Sequence, residues 1–248
     1  MNEIIKNSRL DLACALRWAY RLGFHEGVCN HFSLAVPEKD GQTMGKLFLI
    51  NPYGWHWSEI TASSLVLCDE NGVVLEGNNT VEDTAFFIHS RIHNTAPQAT
   101  CVLHTHMPYT TSLTLLEDGR LQMCEQNALM FDDRIAYDDD YGGLALDSQE
   151  GERIAGKLGE KSVLMLANHG VITTGPNVAE AFNDLYYLER AAMFQVLALS
   201  TGKKLRMISD TVRENTRAQF ETEASQVAAR HFSALRRILD REEPDYRE

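Results

Sequence analysis

Long apolar runs are missing from this 248-residue chain, in which no stretch approaches the roughly 20 consecutive apolar residues of a membrane-spanning helix. The first residues, MNEIIKNSRLDLACALRWAY, also lack the basic segment followed by an apolar segment that marks a secretory signal peptide. These absences predict a cytoplasmic protein that does not contact a membrane.

An excess of basic charge is missing as well. The chain has 23 lysines and arginines against 35 aspartates and glutamates, for a net charge of −12. Nucleic-acid-binding proteins need a basic surface to offset phosphate repulsion. The composition therefore argues against a nucleic-acid partner.

Cysteines are few, and none forms a Cys-x-x-Cys pair. Their number, five, is odd, which favours reduced and mostly buried thiols over a disulfide framework. Cys29 lies in a polar segment near other candidate site residues, and packing is the favoured interpretation of its role over reactivity. No repeat, linker or composition break divides the chain, so we predict one domain over residues 1–248.

Hydrophobic periodicity predicts an α/β domain in which helices cover a mostly antiparallel sheet. The predicted helices are 3–22, 82–95, 108–116, 148–158, 176–199 and 211–239. The predicted strands are 32–36, 46–51, 65–70, 73–75, 101–103, 162–167 and 171–174. Turn-forming residues predict an exposed connection at 37–45 and a solvated acidic loop over 117–147. A C-terminal helical extension is expected at about 208–240, and the polar residues from Asp240 onward are expected to fray.

Histidines stand at the ends of two apolar segments that are distant in the sequence. His104 and His106 follow the run Cys-Val-Leu, and on an extended chain their side chains point to the same face, about 7 Å apart. A second apolar strand ends in Asn-His-Gly at 168–170, which adds His169. Three imidazoles and one open position suit a catalytic metal ion, although isolated core or surface histidines are the alternative.

The combination of these segments resembles the class II aldolase and adducin family from about residue 8 to residue 202. The resemblance rests on His-Thr-His at 104–106, Ala-Asn-His-Gly at 167–170, Asn30 before a strand, and Asn-Pro-Tyr-Gly at 51–54. It implies a three-layer α/β/α fold and a divalent metal ion on the three histidines, usually Zn²⁺, with Fe²⁺ or Mn²⁺ as alternatives. It also implies a small-molecule substrate and a homotetramer with sites at subunit interfaces, in which the C-terminal helix could serve assembly.

The departures from the family pattern concern the substrate. Sugar-phosphate aldolases of this family carry Ser-Ser-Glu at the positions that are Asp-Thr-Ala at 83–85 here. An alanine cannot transfer a proton, and an aspartate in a phosphate cradle repels the anion. The phosphate loop of the family corresponds to Cys29-Asn30 and Tyr53-Gly54, so Asn30 and Gly54 are expected to bind substrate. We therefore predict that the substrate is not a sugar phosphate.

These features predict a metal-dependent lyase that cleaves an aldol or decarboxylates a small hydroxy- or oxo-acid. The candidate proton carriers are His31, Glu82 and Tyr141. An imidazole in general can exchange a proton near neutral pH, which favours His31 for acid–base catalysis or for binding a substrate carboxylate. The alternatives are a helix-dipole role for Glu82 and a solvated turn for Tyr141. His89 and His93, one helical turn apart, are expected to serve packing or capping.

Two other functions stay open. The first is an Fe(II) oxygenase acting on an aryl-pyruvate-like acid, because imidazole suits iron and zinc alike. The second is a non-catalytic, adducin-like assembly protein that has kept a vestigial metal site.

Overall fold

A single mixed sheet forms the centre of the fold in the computed structural model, which describes residues 3–38, 46–144 and 147–248. Most of the predicted connection at 37–45 and residues 145 and 146 of the predicted acidic loop lie outside these ranges. The strands of the described residues are β1 (His31–Val36), β2 (Leu47–Ile50), β3 (Val66–Asp69), β4 (Val74–Glu76), β5 (Cys101–Thr105), β6 (Ile135–Asp138), β7 (Val163–Leu166) and β8 (Gly170–Gly175).

The strand order is β4-β3-β2-β1-β5-β8-β7-β6, and every neighbouring pair is antiparallel except β6 and β7. The predicted mostly antiparallel sheet is thus confirmed. β1 and β5 lie side by side at the centre, with His31 directly opposite His104. β8 flanks β5 on the other side and brings the turn before it close to the end of β5.

Helices cover both faces of the sheet, which confirms the three-layer architecture. They are α1 (Glu3–Arg21), α2 (Asp83–Thr95), α3 (Pro108–Thr114), α4 (Ser148–Leu158), α5 (Val178–Leu199) and α6 (Asp210–Glu242). Alternate residues of one strand face different layers: Leu103 packs in the core shared with α1 and α5, whereas Val102 packs with α2 and α4. Such alternation is what a strand buried on both faces requires. Among the described residues, none of the helices is both long and apolar enough to cross a membrane.

The prediction of a solvated loop over 117–147 is wrong at residues 135–138. These residues form β6, an edge strand parallel to β7. Its last residue, Asp138, is 1% exposed and accepts a hydrogen bond of 2.6 Å from Arg153 of α4. The composition of the segment did not reveal the strand, because its acidic residues are typical of a solvated loop and one of them, Asp138, is in fact buried.

The prediction of frayed residues from Asp240 onward is also wrong. α6 continues to Glu242, a short 3-10 turn follows at Pro244–Arg247, and Tyr246 is fully buried. Arg17 of α1 binds Glu243 at 3.0 Å and Asp245 at 2.7 Å. The two acids are typical of a solvent-exposed C-terminal segment. Their partner Arg17 lies more than 200 positions earlier, so no local sequence pattern reveals the contact.

The cysteines are reduced, and three of them (Cys14, Cys68 and Cys101) are buried as predicted. Cys29 differs because it is exposed in the loop before β1. The packing role predicted for Cys29 is therefore wrong.

Candidate metal centre

The structure brings the three predicted metal ligands together. His104 is on β5, His106 follows its end, and His169 stands in the turn between β7 and β8. One ligand atom from each residue lies within 4.8 Å of the other two. The ring centroids are 4.8–5.0 Å apart. Histidines separated by more than sixty positions thus form one cluster because β5 and β8 are neighbours in the sheet.

The turn that carries His169 is built for close approach. Asn168 has a φ of 56°, a left-handed conformation that asparagine tolerates better than most residues. Gly170 follows, and a Cβ there would lie 2.5 Å from the Thr105 carbonyl oxygen and 2.6 Å from Cδ2 of His106. The Asn-His-Gly sequence therefore allows the two histidine segments to touch.

Hydrogen bonds orient two of the rings through their Nδ1 atoms. His104 Nδ1 donates to the Val171 carbonyl oxygen at 3.1 Å, and His106 Nδ1 lies 3.0 Å from a carboxylate oxygen of Glu26. These contacts leave Nε2 of each ring for another partner. His106 Nε2 is buried and has no hydrogen-bond partner among the described residues. This is the arrangement that metal-binding histidines use, with one nitrogen held by a carbonyl or carboxylate and the other on the ion.

Burial keeps the three imidazoles neutral. It lowers the pKa of His104 well below its usual value, and the neighbouring histidines lower it further. Burial and the same neighbours lower the pKa of His169 to about 4. The pKa of His106 is also lowered by burial, with partial opposition from Glu26. Neutral imidazole is the form that binds metal ions, so the donor set fits a divalent cation such as Zn²⁺ or Fe²⁺.

Two of the three predicted proton carriers meet beside His104. The His31 ring stacks on the His104 ring, with centroids 5.1 Å apart and an interplanar angle of 29°. Glu82, at the N-terminus of α2, places a carboxylate oxygen 3.4 Å from His31 Nε2. The hydrogen bond with His31 is the main reason that the pKa of Glu82 is lowered. His31 is 6% exposed, whereas the side chain of Glu82 is 31% exposed, so the pair lies at the boundary between the core and the solvent.

The third predicted carrier, Tyr141, lies at the edge of the cluster. Its ring centroid is 6.3 Å from that of His169, and the residue is 52% exposed. The structure therefore places Tyr141 next to one candidate ligand, on a surface open to solvent.

The two residues predicted to bind substrate differ in their surroundings. Asn30 has a φ of 71° and is 3% exposed, yet both polar atoms of its side chain lack a partner among the described residues. Gly54 lies in the turn after β2 with a φ of 78° and open space around it. Among the described residues, none of the hydrogen bonds joins Gly54 to the histidine cluster.

The position of the family glutamate is part of the core in this chain. Ala85 is 1% exposed and packs in an apolar cluster with residues of β2 and β3. Asp83, at the first position of α2, is exposed. At this end of α2, the carboxylate next to His31 is therefore that of Glu82, and residue 85 contributes no polar group.

A chain of buried hydrogen bonds behind His31 was not predicted. His31 Nδ1 lies 3.0 Å from His89 Nε2, and Ser33 Oγ lies 2.6 Å from His89 Nδ1. The same hydroxyl is 2.7 Å from His93 Nε2, and His93 Nδ1 is 2.8 Å from the Ala99 carbonyl oxygen. His89 and His93 are buried as packing residues are, but they are also linked to the site. Two spacings in the sequence could have indicated this network: polar residues at i and i+2 on β1, and histidines at i and i+4 on α2.

Comparison with known proteins agrees with this architecture. Residues 10–196 match the family model for the class II aldolase and adducin N-terminal domain. The crystal structure of an aldolase II superfamily protein from Pseudomonas syringae has a TM-score of 0.92 and 34% sequence identity, and the match covers 100% of this chain and 98% of that one.

Two other relatives carry different functions in their names. An L-fuculose 1-phosphate aldolase from Glaciozyma antarctica PI12 has a TM-score of 0.83 at 24% identity, over 98% of this chain and 92% of that one, which supports the fold alone. Alpha-adducin of Mus musculus is 32% identical over 94% of this chain, although the match covers only 33% of the adducin.

Proposed function

Because the chain belongs to the class II aldolase and adducin family, we propose that it is a metal-dependent lyase acting on a small hydroxy- or oxo-acid. The observation that carries the proposal is the cluster of three neutral imidazoles next to the His31–Glu82 pair. His104, His106 and His169 would hold the ion, with Zn²⁺ as the proposed metal and Fe²⁺ or Mn²⁺ as alternatives. A divalent cation there would polarise a substrate oxygen and stabilise the negative charge that develops when the adjacent carbon–carbon bond breaks.

His31 and Glu82 are the proposed general acid–base pair. The imidazole and the carboxylate are close enough to share a proton, and the pair stands against His104. Tyr141 is the second proposed donor, because its ring neighbours His169 and half of the residue is open to the solvent from which substrate would enter.

A substrate without a phosphate group is the second part of the proposal. The exposed Asp83 stands where sugar-phosphate aldolases of the family have a serine, and its charge repels a phosphate. The unpartnered carboxamide of Asn30 would gain hydrogen bonds from a substrate oxygen or hydroxyl. The Tyr53-Gly54 turn leaves open space where that substrate would lie.

The test combines metal analysis with a screen of hydroxy- and oxo-acids. Protein purified without chelator should contain about one divalent ion per chain, and His106→Ala should lose it. Turnover of a non-phosphorylated acid by the metal-loaded wild type, absent in His106→Ala while the protein stays folded, would support the lyase. Tighter saturable binding of a ketose phosphate than of its dephosphorylated form would overturn the substrate proposal.

The oxygenase alternative has its own observation in its favour: the site is a cluster of three imidazoles, and imidazole is a ligand for Fe(II) as well as for Zn(II). Anaerobically purified protein would then contain iron, and oxygen uptake would follow the addition of an aryl-pyruvate. Zinc without oxygen uptake is the result expected for the lyase.

The adducin-like alternative is supported by the 32% identity to alpha-adducin. In that case the histidine cluster would serve stability alone. Replacing His31 by Gln should then change no measurable activity, whereas the lyase proposal expects a loss of about 100-fold or more in kcat.

A further inference from the structure

With His89 and His93 neutral, the hydrogen-bond chain behind His31 has one consistent direction, which is set by a backbone carbonyl. The Ala99 carbonyl oxygen can only accept a hydrogen bond, so His93 must carry its proton on Nδ1. Burial lowers the pKa of His93 to about 4, which keeps the ring neutral near pH 7. A neutral imidazole has one N–H, so His93 Nε2 is an acceptor.

The next two links follow from this acceptor. The Ser33 hydroxyl has one proton, which it must donate to His93 Nε2 at 2.7 Å. Its oxygen therefore accepts from His89 Nδ1 at 2.6 Å. His89 is fully buried, and burial lowers its pKa well below the usual value, so its Nε2 is bare. That nitrogen can only accept from His31 Nδ1 at 3.0 Å.

We propose that Ser33, His89 and His93 are positioning residues that keep a proton on His31 Nδ1 and turn its Nε2 toward Glu82 and the site. The proton on Nδ1 stays in the hydrogen bond to His89 and does not take part in the reaction. Nε2, 3.4 Å from the Glu82 carboxylate, is then the His31 nitrogen that faces the site. The role given to His31 in proton transfer rests on the proposed function; the tautomer itself does not.

The three residues do more than fill space, because they replace apolar material in a core layer. Several residues of β2, β3, β5 and β8 that face the same layer are apolar, for example Val102 and Ile172. Buried hydroxyl and imidazole groups are costly unless every donor and acceptor is paired. Here each link is paired, from the carbonyl to His31, and a fully paired network fixes one arrangement of protons.

The test is ¹⁵N NMR of the histidine side chains near pH 7, with metal-free and Zn²⁺-loaded protein. Directly bonded and long-range couplings distinguish a protonated from a bare ring nitrogen. We expect the wild-type His31 to show protonated Nδ1 in both forms. A His31 with bare Nδ1 and protonated Nε2 would overturn the proposal without any measurement of turnover.

Three variants separate positioning from mere packing. Ser33→Ala removes the hydroxyl that joins His89 to His93, so His31 should show a mixture of tautomers and kcat should fall at least about tenfold, with KM changed less than about twofold. Ser33→Thr keeps a hydroxyl at this strand position and should restore the wild-type tautomer and most of kcat. Ser90→Ala removes the hydroxyl of a buried serine of α2 that is not one of the proposed positioning residues. It should leave the tautomer of His31 and kcat unchanged.

The outcomes distinguish this inference from the lyase proposal. Ser33→Ala with the wild-type tautomer, or with a mixed tautomer and unchanged kcat, would overturn the positioning role. If no substrate is turned over at all, the lyase proposal fails while the NMR result still decides the tautomer. Should Ser33→Ala not fold, Ser33→Cys keeps the size of the side chain with a weaker donor and gives the same readouts.

Discussion

Gly170 determines how closely the two histidine segments approach each other. With hydrogen in place of a side chain, it lets the turn after β7 lie against Thr105 and His106. An added methyl group would collide with a backbone oxygen, which cannot move aside as the end of a flexible side chain can. The chemistry of the candidate centre therefore depends on a residue that contributes no ligand.

Gly170→Ala is expected to weaken metal binding by about 10- to 100-fold, because the new Cβ displaces the His106 ring. We also expect a loss of about 1–3 kcal/mol in the free energy of unfolding from overpacking. Competition with a chromophoric chelator and urea unfolding measure the two effects. The control is Gly156→Ala in α4, where a Cβ meets nothing within 4 Å and a gain of about 0.5–1 kcal/mol is expected. Equal metal affinity in the two variants would contradict the account of Gly170.

Buried neutral histidines make the stability of the metal-free protein depend on pH. Burial lowers the pKa of His93 to about 4 from a usual value of 6.5. Between these two values the unfolded chain therefore binds a proton at His93 that the folded chain does not bind. The contribution of His93 to the free energy of unfolding is fully present above pH 6.5 and is lost as the pH falls toward 4. His93 alone accounts for about 3 kcal/mol of the change. His169, with a folded pKa of about 4, acts in the same direction.

We expect the free energy of unfolding to fall steadily from pH 6.5 to pH 5, above the range in which most carboxylates titrate. Urea unfolding of chelator-treated protein at half-unit pH steps measures it. His93→Leu should make this part of the profile shallower, whereas His231→Leu, at a less buried histidine of α6, should change it less. A wild-type profile that is flat between pH 6.5 and 5 would contradict the neutral state of the buried rings.

β1 shows, at the scale of elements, what the sequence allowed us to predict and what it did not. Phe32, Leu34 and Val36 pack in the core shared with α1 and α5, and the apolar run that contains them was enough to predict the strand. The other face carries His31 and Ser33 toward α2, and their partners lie on a helix some 58–60 positions later. Periodicity predicts each element separately, but the neighbours of a strand depend on its position in the sheet. The site residues could therefore be nominated individually, while the hydrogen-bond chain required the structure.

The C-terminal turn is the second element whose role depended on a distant partner. Arg17 is 5% exposed at its side chain and also donates to the Ile60 carbonyl oxygen at 2.7 Å. Arg17→Gln should loosen residues 243–248 and lower the free energy of unfolding by about 1–3 kcal/mol, because the Ile60 carbonyl oxygen and Asp245 lose their donor while Glu243 keeps only Arg21. Hydrogen exchange of the C-terminal amides measures the loosening. Arg241→Gln, whose side chain is 70% exposed, is the matched control and should leave exchange unchanged.

Protected amides after Arg17→Gln would mean that other contacts, among them the burial of Tyr246, hold the turn. This residue is fully buried, and its backbone oxygen accepts from the amide of Ala62. Tyr246→Ala would then release the segment where Arg17→Gln had not, which separates apolar burial from ion pairing as the cause of docking.

The whole molecule leaves large apolar side chains exposed where two helices end. Leu115 and Leu116 follow α3 and are 59% and 55% exposed, and Leu197 near the end of α5 is 51% exposed. Covering such a side chain contributes about 1.5–3 kcal/mol when burial is complete. Together with the family resemblance, these residues support the prediction that the chain assembles as a homotetramer with sites at subunit interfaces.

Sedimentation velocity at micromolar concentration should therefore give the mass of four chains. Leu115→Glu combined with Leu116→Glu should shift the protein toward smaller species, because the charges would have to be buried in the contact. Leu144→Glu, at a side chain that is 72% exposed in a loop, is the control for an added acid away from the helix ends. If the sites are completed by a neighbouring subunit, the dissociated variant should keep its metal ion but lose turnover. A wild type that sediments as one chain, with full metal content and turnover, would show that each chain carries a complete site.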